Sequence, residues 1–127
     1  MTTGERSGLR KAISRLVAPQ DEVHAEHEHE RAVELGGTPV TQLPSRRPAT
    51  VCGTLRAVTL RPRAGVPALV AELYDGTGSL SVVWLGRRQI RGIEPGRRIR
   101  VQGLVSQIEG APVIYNPRYE LIPAARG

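Results

Sequence analysis

From residue 49 onward the chain alternates hydrophobic and polar positions with a period of two, which predicts strands with one buried face. A long first strand covers Val51 to Thr59, and Gly53 within it is the expected site of a bend or bulge. The inward positions of two further strands are Leu69, Ala71 and Leu73, and then Leu80, Val82 and Trp84. The same alternation places Val51, Leu55, Ala57 and Thr59 on one face of the first strand.

Turn residues separate these strands and introduce the rest of the region. Arg61–Val66 contains Pro62 and Gly65, and the Asp-Gly-Thr-Gly sequence at 75–78 supplies a second turn. Residues 86–96 predict one short helix that carries Ile90 and Ile93. A fourth strand, Arg98 to Val105, and a last strand around Val113 and Tyr115 follow, with a turn at Glu109-Gly110 between them. The order is three strands, a short helix and two strands.

The pattern before residue 37 has a helical period. Leu9, Ile13, Leu16 and Val17 share one helix face, with Ser7 as N-cap, and Pro19 ends this helix. A second helix is expected from Asp21 to Leu35. It carries too few large apolar side chains for a continuous stripe, so we expect it to be exposed or loosely docked.

Composition shifts mark the organisation of the chain. Three prolines in residues 38–48 favour an extended connector. We therefore predict a helical segment at 1–36, a linker at 37–48, a folded domain at 49–123 and a tail at 124–127. A chain of 127 residues has room for one such domain.

Five strands with a short helix between the third and fourth form the plan of the OB-fold, a Greek-key barrel. Residues 75–84 (DGTGSLSVVW), 95–103 (PGRRIRVQG) and 116–119 (NPRY) resemble OB-fold single-strand binding proteins and anticodon-binding domains. More narrowly, they are similar to the wedge domain of the RecG helicases. The resemblance covers about residues 49–122 and implies a mostly β, five-stranded OB barrel that binds nucleic acid. No helicase motor or phosphate-binding loop accompanies it, so helicase activity is excluded.

Charge is unevenly distributed along the chain. Residues 1–36 hold five basic and seven acidic side chains, whereas residues 37–127 hold thirteen arginines and five acids. A basic domain indicates a polyanionic partner. Arginine greatly outnumbers lysine, however, and a coding bias toward arginine explains the same composition.

The resemblance implies that a nucleic-acid strand crosses the outer surface of strands two and three. That surface presents Tyr74 for base stacking, and Glu72 beside it opposes phosphates. Tyr115 could face either way, and Trp84 is expected in the core. The predicted nucleic-acid-binding residues are Arg56, Arg61, Arg63, Tyr74, Arg87, Arg88, Arg98 and Arg100.

The sequence shows little sign of disulfide, metal or catalytic chemistry. Cys52 cannot form an internal disulfide and is expected as a small core or wall residue. His24, His27 and His29 alternate with glutamates, but their spacing does not match a metal motif, so a solvated helix face is expected. We predict no cofactor, no metal and no enzymatic activity. The sequence lacks a membrane span and a signal peptide, which predicts a soluble, cytoplasmic protein.

Two functions remain open from the sequence. The leading hypothesis is a protein that binds single-stranded or distorted DNA or RNA through a basic barrel face. The alternative is an OB-type interaction module whose N-terminal helix docks on a protein partner or on a second copy through Leu9, Ile13, Leu16 and Val17. The acidic segment from His24 to Glu34 could also fold back over the basic barrel.

Overall fold

The strands of the barrel form because alternating apolar positions bury one face of each strand, and tight turns connect them. In a computed structural model, residues 19–123 are described. One helix, α1 (Pro19–Glu34), and a short 3-10 helix (Val40–Gln42) precede the sheet. The strands are β1 (Pro48–Leu60), β2 (Ala68–Tyr74), β3 (Ser79–Leu85), β4 (Arg98–Ile108), β5 (Ala111–Tyr115) and β6 (Arg118–Leu121).

The six strands form one sheet that closes on itself. The order is β1-β2-β3-β5-β4-β6, and β1 pairs again with β4 to complete the ring. All pairings are antiparallel except that between β3 and β5. Inside the ring lies a core of aliphatic side chains together with Trp84, which is 5 % exposed. The predicted inward positions of β2 and β3 and the core position of Trp84 are therefore confirmed.

A bulge in β1 changes the predicted alternation. The pairing with β2 shifts between Leu55 and Ala57, so Arg56 is the additional residue. Beyond it Val58 packs against the core, whereas Ala57 and Thr59 are exposed on the outer face. The prediction that Ala57 and Thr59 share a face with Leu55 was wrong, because one extra residue reverses the side-chain phase.

Gly53 is required for a close approach and is not the site of the bulge. A Cβ atom at this position would clash with the carbonyl oxygen of Tyr74. Gly53 pairs with Ile99 of β4, and the next residue, Thr54, pairs with both Arg98 and Tyr74. The chain passes here from one partner strand to the other, and a side chain would force the strands apart.

The connection between β3 and β4 contains no helix. Residues 86–97 form turns, so the predicted helix was wrong. The sheet also has six strands and not the predicted five. Ile90 and Ile93 nevertheless enter the core, each 6 % exposed. Gly92 and Gly96, both with positive φ, interrupt a helical path. The last predicted strand, around Val113 and Tyr115, corresponds to β5. The pattern did not predict β6, which follows β5 after Asn116, whose φ is 49°.

The helix α1 is docked on the barrel, in contrast to the loose helix expected from the sequence. Glu28 and Ala32 are each 4 % exposed, and the backbone around Ala25 and His29 lies against Gly76. The count of large apolar residues did not indicate this contact, because the buried side chains are a carboxylate and an alanine and the rest of the contact is made by backbone. Val23 and Val33 are exposed, as the weak stripe predicted.

Parts of the predicted N-terminal segment and the tail lie outside the described residues. They include the amphipathic helix from Ser7 to Val17 and residues 124–127. No helix within residues 19–123 has the length and apolar character needed to cross a bilayer.

Candidate nucleic-acid interface

The outer face of β2, β3 and β5 is built from rows of paired residues. One row runs from Thr59 through Val70 and Val83 to Tyr115, and the next contains Glu72 and Ser81. Val83 is only 1 % exposed, because Val70, Tyr115 and their neighbours cover it. The face is therefore apolar along the row that contains Val70 and Val83, and polar in the next row, at Glu72 and Ser81.

The first of two arginine–tyrosine pairs lies at the far end of β2. The guanidinium carbon of Arg56 is 3.7 Å from the ring centroid of Tyr74, a cation–π contact. The β1 bulge directs Arg56 over this ring, since the extra residue re-aims its side chain. The pair presents a flat, cationic surface to solvent.

The second pair joins the β1–β2 loop to β5. Arg63 Nη1 donates a hydrogen bond of 3.1 Å to the Tyr115 hydroxyl, and its guanidinium lies 5.9 Å from the ring centroid. The loop is held by the bridge between Arg63 and Val66, around a turn in which Ala64 and Gly65 both have positive φ. From strand spacing and residue rise, the backbones of Tyr74 and Tyr115 are roughly 16 Å apart.

Between the two pairs lies a shallow groove, which we call the outer groove. It is lined by Ala57, Thr59, Arg61, Val70, Ala71, Glu72 and Ser81. Small residues flank Glu72 on both sides, because its partners across the strands are Ala57 and Ser81. The centre of the groove therefore carries the exposed carboxylate of Glu72.

Two further predicted arginines lie near the same loop. Arg87 and Arg88 are exposed directly after β3, where the Gly86 N–H donates to the Pro67 carbonyl oxygen over 2.7 Å. That contact places the start of the β3–β4 connection beside the end of the β1–β2 loop, to which Arg63 also belongs. The structure thus places four of the eight predicted residues at or beside the outer groove, namely Arg56, Arg61, Arg63 and Tyr74, and the segment of Arg87 and Arg88 begins beside the β1–β2 loop.

Arg98 and Arg100 lie elsewhere, Arg98 under α1 and Arg100 beside the residue that follows α1. Arg98 makes two hydrogen bonds of 3.2 and 3.3 Å to the Glu28 carboxylate, which also accepts from Thr54 Oγ1 at 3.0 Å. Arg100 donates to Glu120 at 3.1 Å and to the Leu35 carbonyl oxygen at 3.0 Å. Both guanidinium groups are engaged within the chain and are not part of the outer groove.

The cysteine and the histidines do not contribute to the outer groove. Cys52 is fully buried beneath the segment at Leu35–Gly37, and burial raises the pKa of its thiol, which the nearby Arg100 only partly offsets. Within the described part of the chain, no group of three or more His, Cys, Asp or Glu side chains could hold a metal ion.

The sequence left two residues of this arrangement undecided or unnoticed. Tyr115 alternates with Ile114, and both are apolar enough for the core, so the pattern alone could not orient them; the structure buries Ile114 and turns Tyr115 outward. Glu28 was assigned to a solvated helix face, and no feature of its local sequence indicates burial.

The closed ring, its strand order and the outer groove define an OB-fold of the nucleic-acid-binding class. The family model of the tRNA anti-codon type, described as an OB-fold nucleic acid binding domain, matches residues 49–122. The chain belongs to this family. The predicted resemblance and the OB-fold are thereby confirmed.

Comparison with solved structures supports the same fold. The structure of RecG bound to a three-way DNA junction matches with a TM-score of 0.57 and 21 % sequence identity. The match covers 68 % of this chain and 12 % of the RecG chain, so this chain spans about an eighth of that protein. No curated protein sequence matches the chain significantly.

Proposed function

We propose that this chain binds single-stranded DNA or RNA across the outer groove, as a binding module without catalytic activity. The observation that carries the proposal is the placement of two arginine–tyrosine pairs on one face, at either side of the groove. Single strands bind to surfaces that combine flat side chains for bases with cations for the backbone.

Each part of the face has a stated role in this proposal. One base stacks on the Arg56–Tyr74 pair and another on Tyr115, while Arg61 and Arg63 contact phosphates. Arg87 and Arg88 extend the cationic path beyond the loop. A duplex keeps its bases stacked inside, so it cannot use the tyrosines, and the proposal favours single strands.

Charge reversal on the groove tests the proposal. We expect the Arg56→Glu/Arg63→Glu double variant to bind single-stranded oligonucleotides about 30-fold more weakly than the unmodified chain, with a shallower dependence on salt. Tyr115→Ala, which removes one stacking surface, should lower the affinity about tenfold. The measurement is fluorescence anisotropy at two salt concentrations, with unlabelled duplex as competitor.

Arg118→Glu is the matched control, because Arg118 is an exposed arginine on β6 and does not line the groove. It should change the affinity by less than about threefold, as expected for one distant charge screened by salt. Equal losses in Arg118→Glu and in a single groove variant such as Arg63→Glu would show that net charge, and not this face, determines binding.

A further inference from the structure

We infer that Glu72 and its neighbours make the outer groove selective for guanine over thymine and uracil. This inference rests on the proposed function, since it concerns the base that occupies the same groove. It assigns a role to the one acidic side chain that lies among the groove residues.

The carboxylate of Glu72 is available to a ligand. It is exposed at the centre of the face, and within residues 19–123 it has neither an ion-pair partner nor a hydrogen-bond partner. Its strand partners, Ala57 and Ser81, are too small to cover it. An ionised carboxylate only accepts hydrogen bonds, and it repels phosphates. A strand in the groove therefore turns its bases, and not its backbone, toward Glu72.

The groups around Glu72 provide further hydrogen-bonding positions for the edge of one base. Ser81 lies directly opposite Glu72, where paired side chains have Cβ atoms about 5 Å apart. Arg61 lines the same groove and carries only donors. The groove thus offers an acceptor pair at Glu72, a hydroxyl beside it at Ser81 and a guanidinium at Arg61.

Guanine complements this set. Its N1–H and N2–H groups are adjacent donors that two carboxylate oxygens can accept together, and its O6 atom accepts from a hydroxyl or a guanidinium. Cytosine and adenine offer one amino group each. Thymine and uracil place their single N3–H between two carbonyl oxygens, which the carboxylate repels. The expected order of affinity is guanine first, then cytosine and adenine, then thymine and uracil.

The test uses a thymidine octanucleotide and its variants with one central guanine, cytosine or inosine, titrated by fluorescence anisotropy. We expect the guanine substitution to raise the affinity of the unmodified chain about tenfold, the discrimination typical of one bidentate contact. Inosine lacks the N2 amino group, so its affinity should fall between those of guanine and thymine.

Glu72→Gln should abolish this preference while strengthening binding to the thymidine octamer two- to fivefold, because the repulsive charge is gone. Glu94→Gln is the control, since Glu94 is an exposed acid in the β3–β4 connection. It should leave the preference unchanged. Loss of the guanine preference in Glu72→Gln alone, with retained binding, supports the inference.

Failures of the two proposals are distinguishable. If all octamers bind equally well and Arg56→Glu/Arg63→Glu weakens them all, the groove binds single strands and the base selectivity is overturned. A guanine preference that persists in Glu72→Gln overturns the assignment to Glu72. If no octamer binds at low salt, the proposed function and the inference fall together.

Discussion

Replacing Glu28 by alanine is expected to lower the free energy of unfolding by about 3 kcal/mol. Glu28 is 4 % exposed and accepts hydrogen bonds from Arg98 and Thr54. Removing one member of a buried ion pair leaves the other charge without compensation, which costs about 3 to 5 kcal/mol. The Arg98 side chain retains 22 % exposure, so water relieves part of this cost and the lower value is expected. Urea unfolding provides the measurement.

The interaction itself is isolated by a double-mutant cycle with Arg98→Met. We expect a coupling free energy of about 1.5 to 3 kcal/mol, the range for hydrogen bonds to charged groups. Glu30→Ala serves as the control, because Glu30 is an exposed glutamate on the same helix. If Glu28→Ala and Glu30→Ala unfold at the same urea concentration, the contact between α1 and the barrel does not stabilise the fold.

Asp75→Ala should reduce the free energy of unfolding by a similar amount, about 3 kcal/mol. Asp75 is fully buried, and its Oδ1 accepts from the Thr77 and Gly78 N–H groups at 2.9 and 3.1 Å and from the Thr77 hydroxyl at 2.7 Å. Its Oδ2 accepts from the Val40 N–H at 2.8 Å. Alanine leaves these donors without a partner, and each buried unsatisfied donor costs about 1 to 3 kcal/mol.

Asp75→Asn separates the hydrogen bonds that Asp75 makes within the β2–β3 turn from the one that it makes to Val40. The amide oxygen can still accept from the β2–β3 turn, whereas the amide NH₂ group faces the Val40 N–H and cannot accept from it. We expect a loss of unfolding free energy between zero and that of Asp75→Ala. A loss below about 1 kcal/mol in Asp75→Ala would show that the tether between the turn and Val40 contributes little.

Strand phase was predictable wherever the chain kept a regular pairing. The inward faces of β2 and β3 follow directly from alternation, because every second residue of each strand, including Leu73 and Leu80, is an apolar residue that faces the core. The bulge at Arg56 was not predictable, because it depends on how β1 divides its pairing between β2 and β4. That same bulge reverses Ala57 and directs Arg56 to Tyr74, so the missed feature shapes the groove.

In the candidate site too, positions set by the local sequence were predictable, and contacts between distant parts of the chain were not. Arg61 and Arg63 were predicted in the first loop and Tyr74 on the outer face, and they lie there because turn residues and strand alternation determine these positions. Their role in binding stays a prediction. Arg98 contacts Glu28, 70 positions earlier in the chain. Arg100 contacts Leu35, 65 positions earlier, and Glu120, 20 positions later. A local pattern carries no information about such contacts, and both arginines were therefore assigned to a free basic face.

The central claim is that single strands occupy the outer groove, and amide chemical shifts test it most directly. A mixed-sequence octanucleotide titrated into isotope-labelled protein should shift the backbone signals of Val70, Glu72, Ser81 and Tyr115. Signals from the β4–β6 surface, such as Gln102 and Arg118, should remain in place. The largest shifts on the β4–β6 surface, with the groove signals unchanged, would contradict the account.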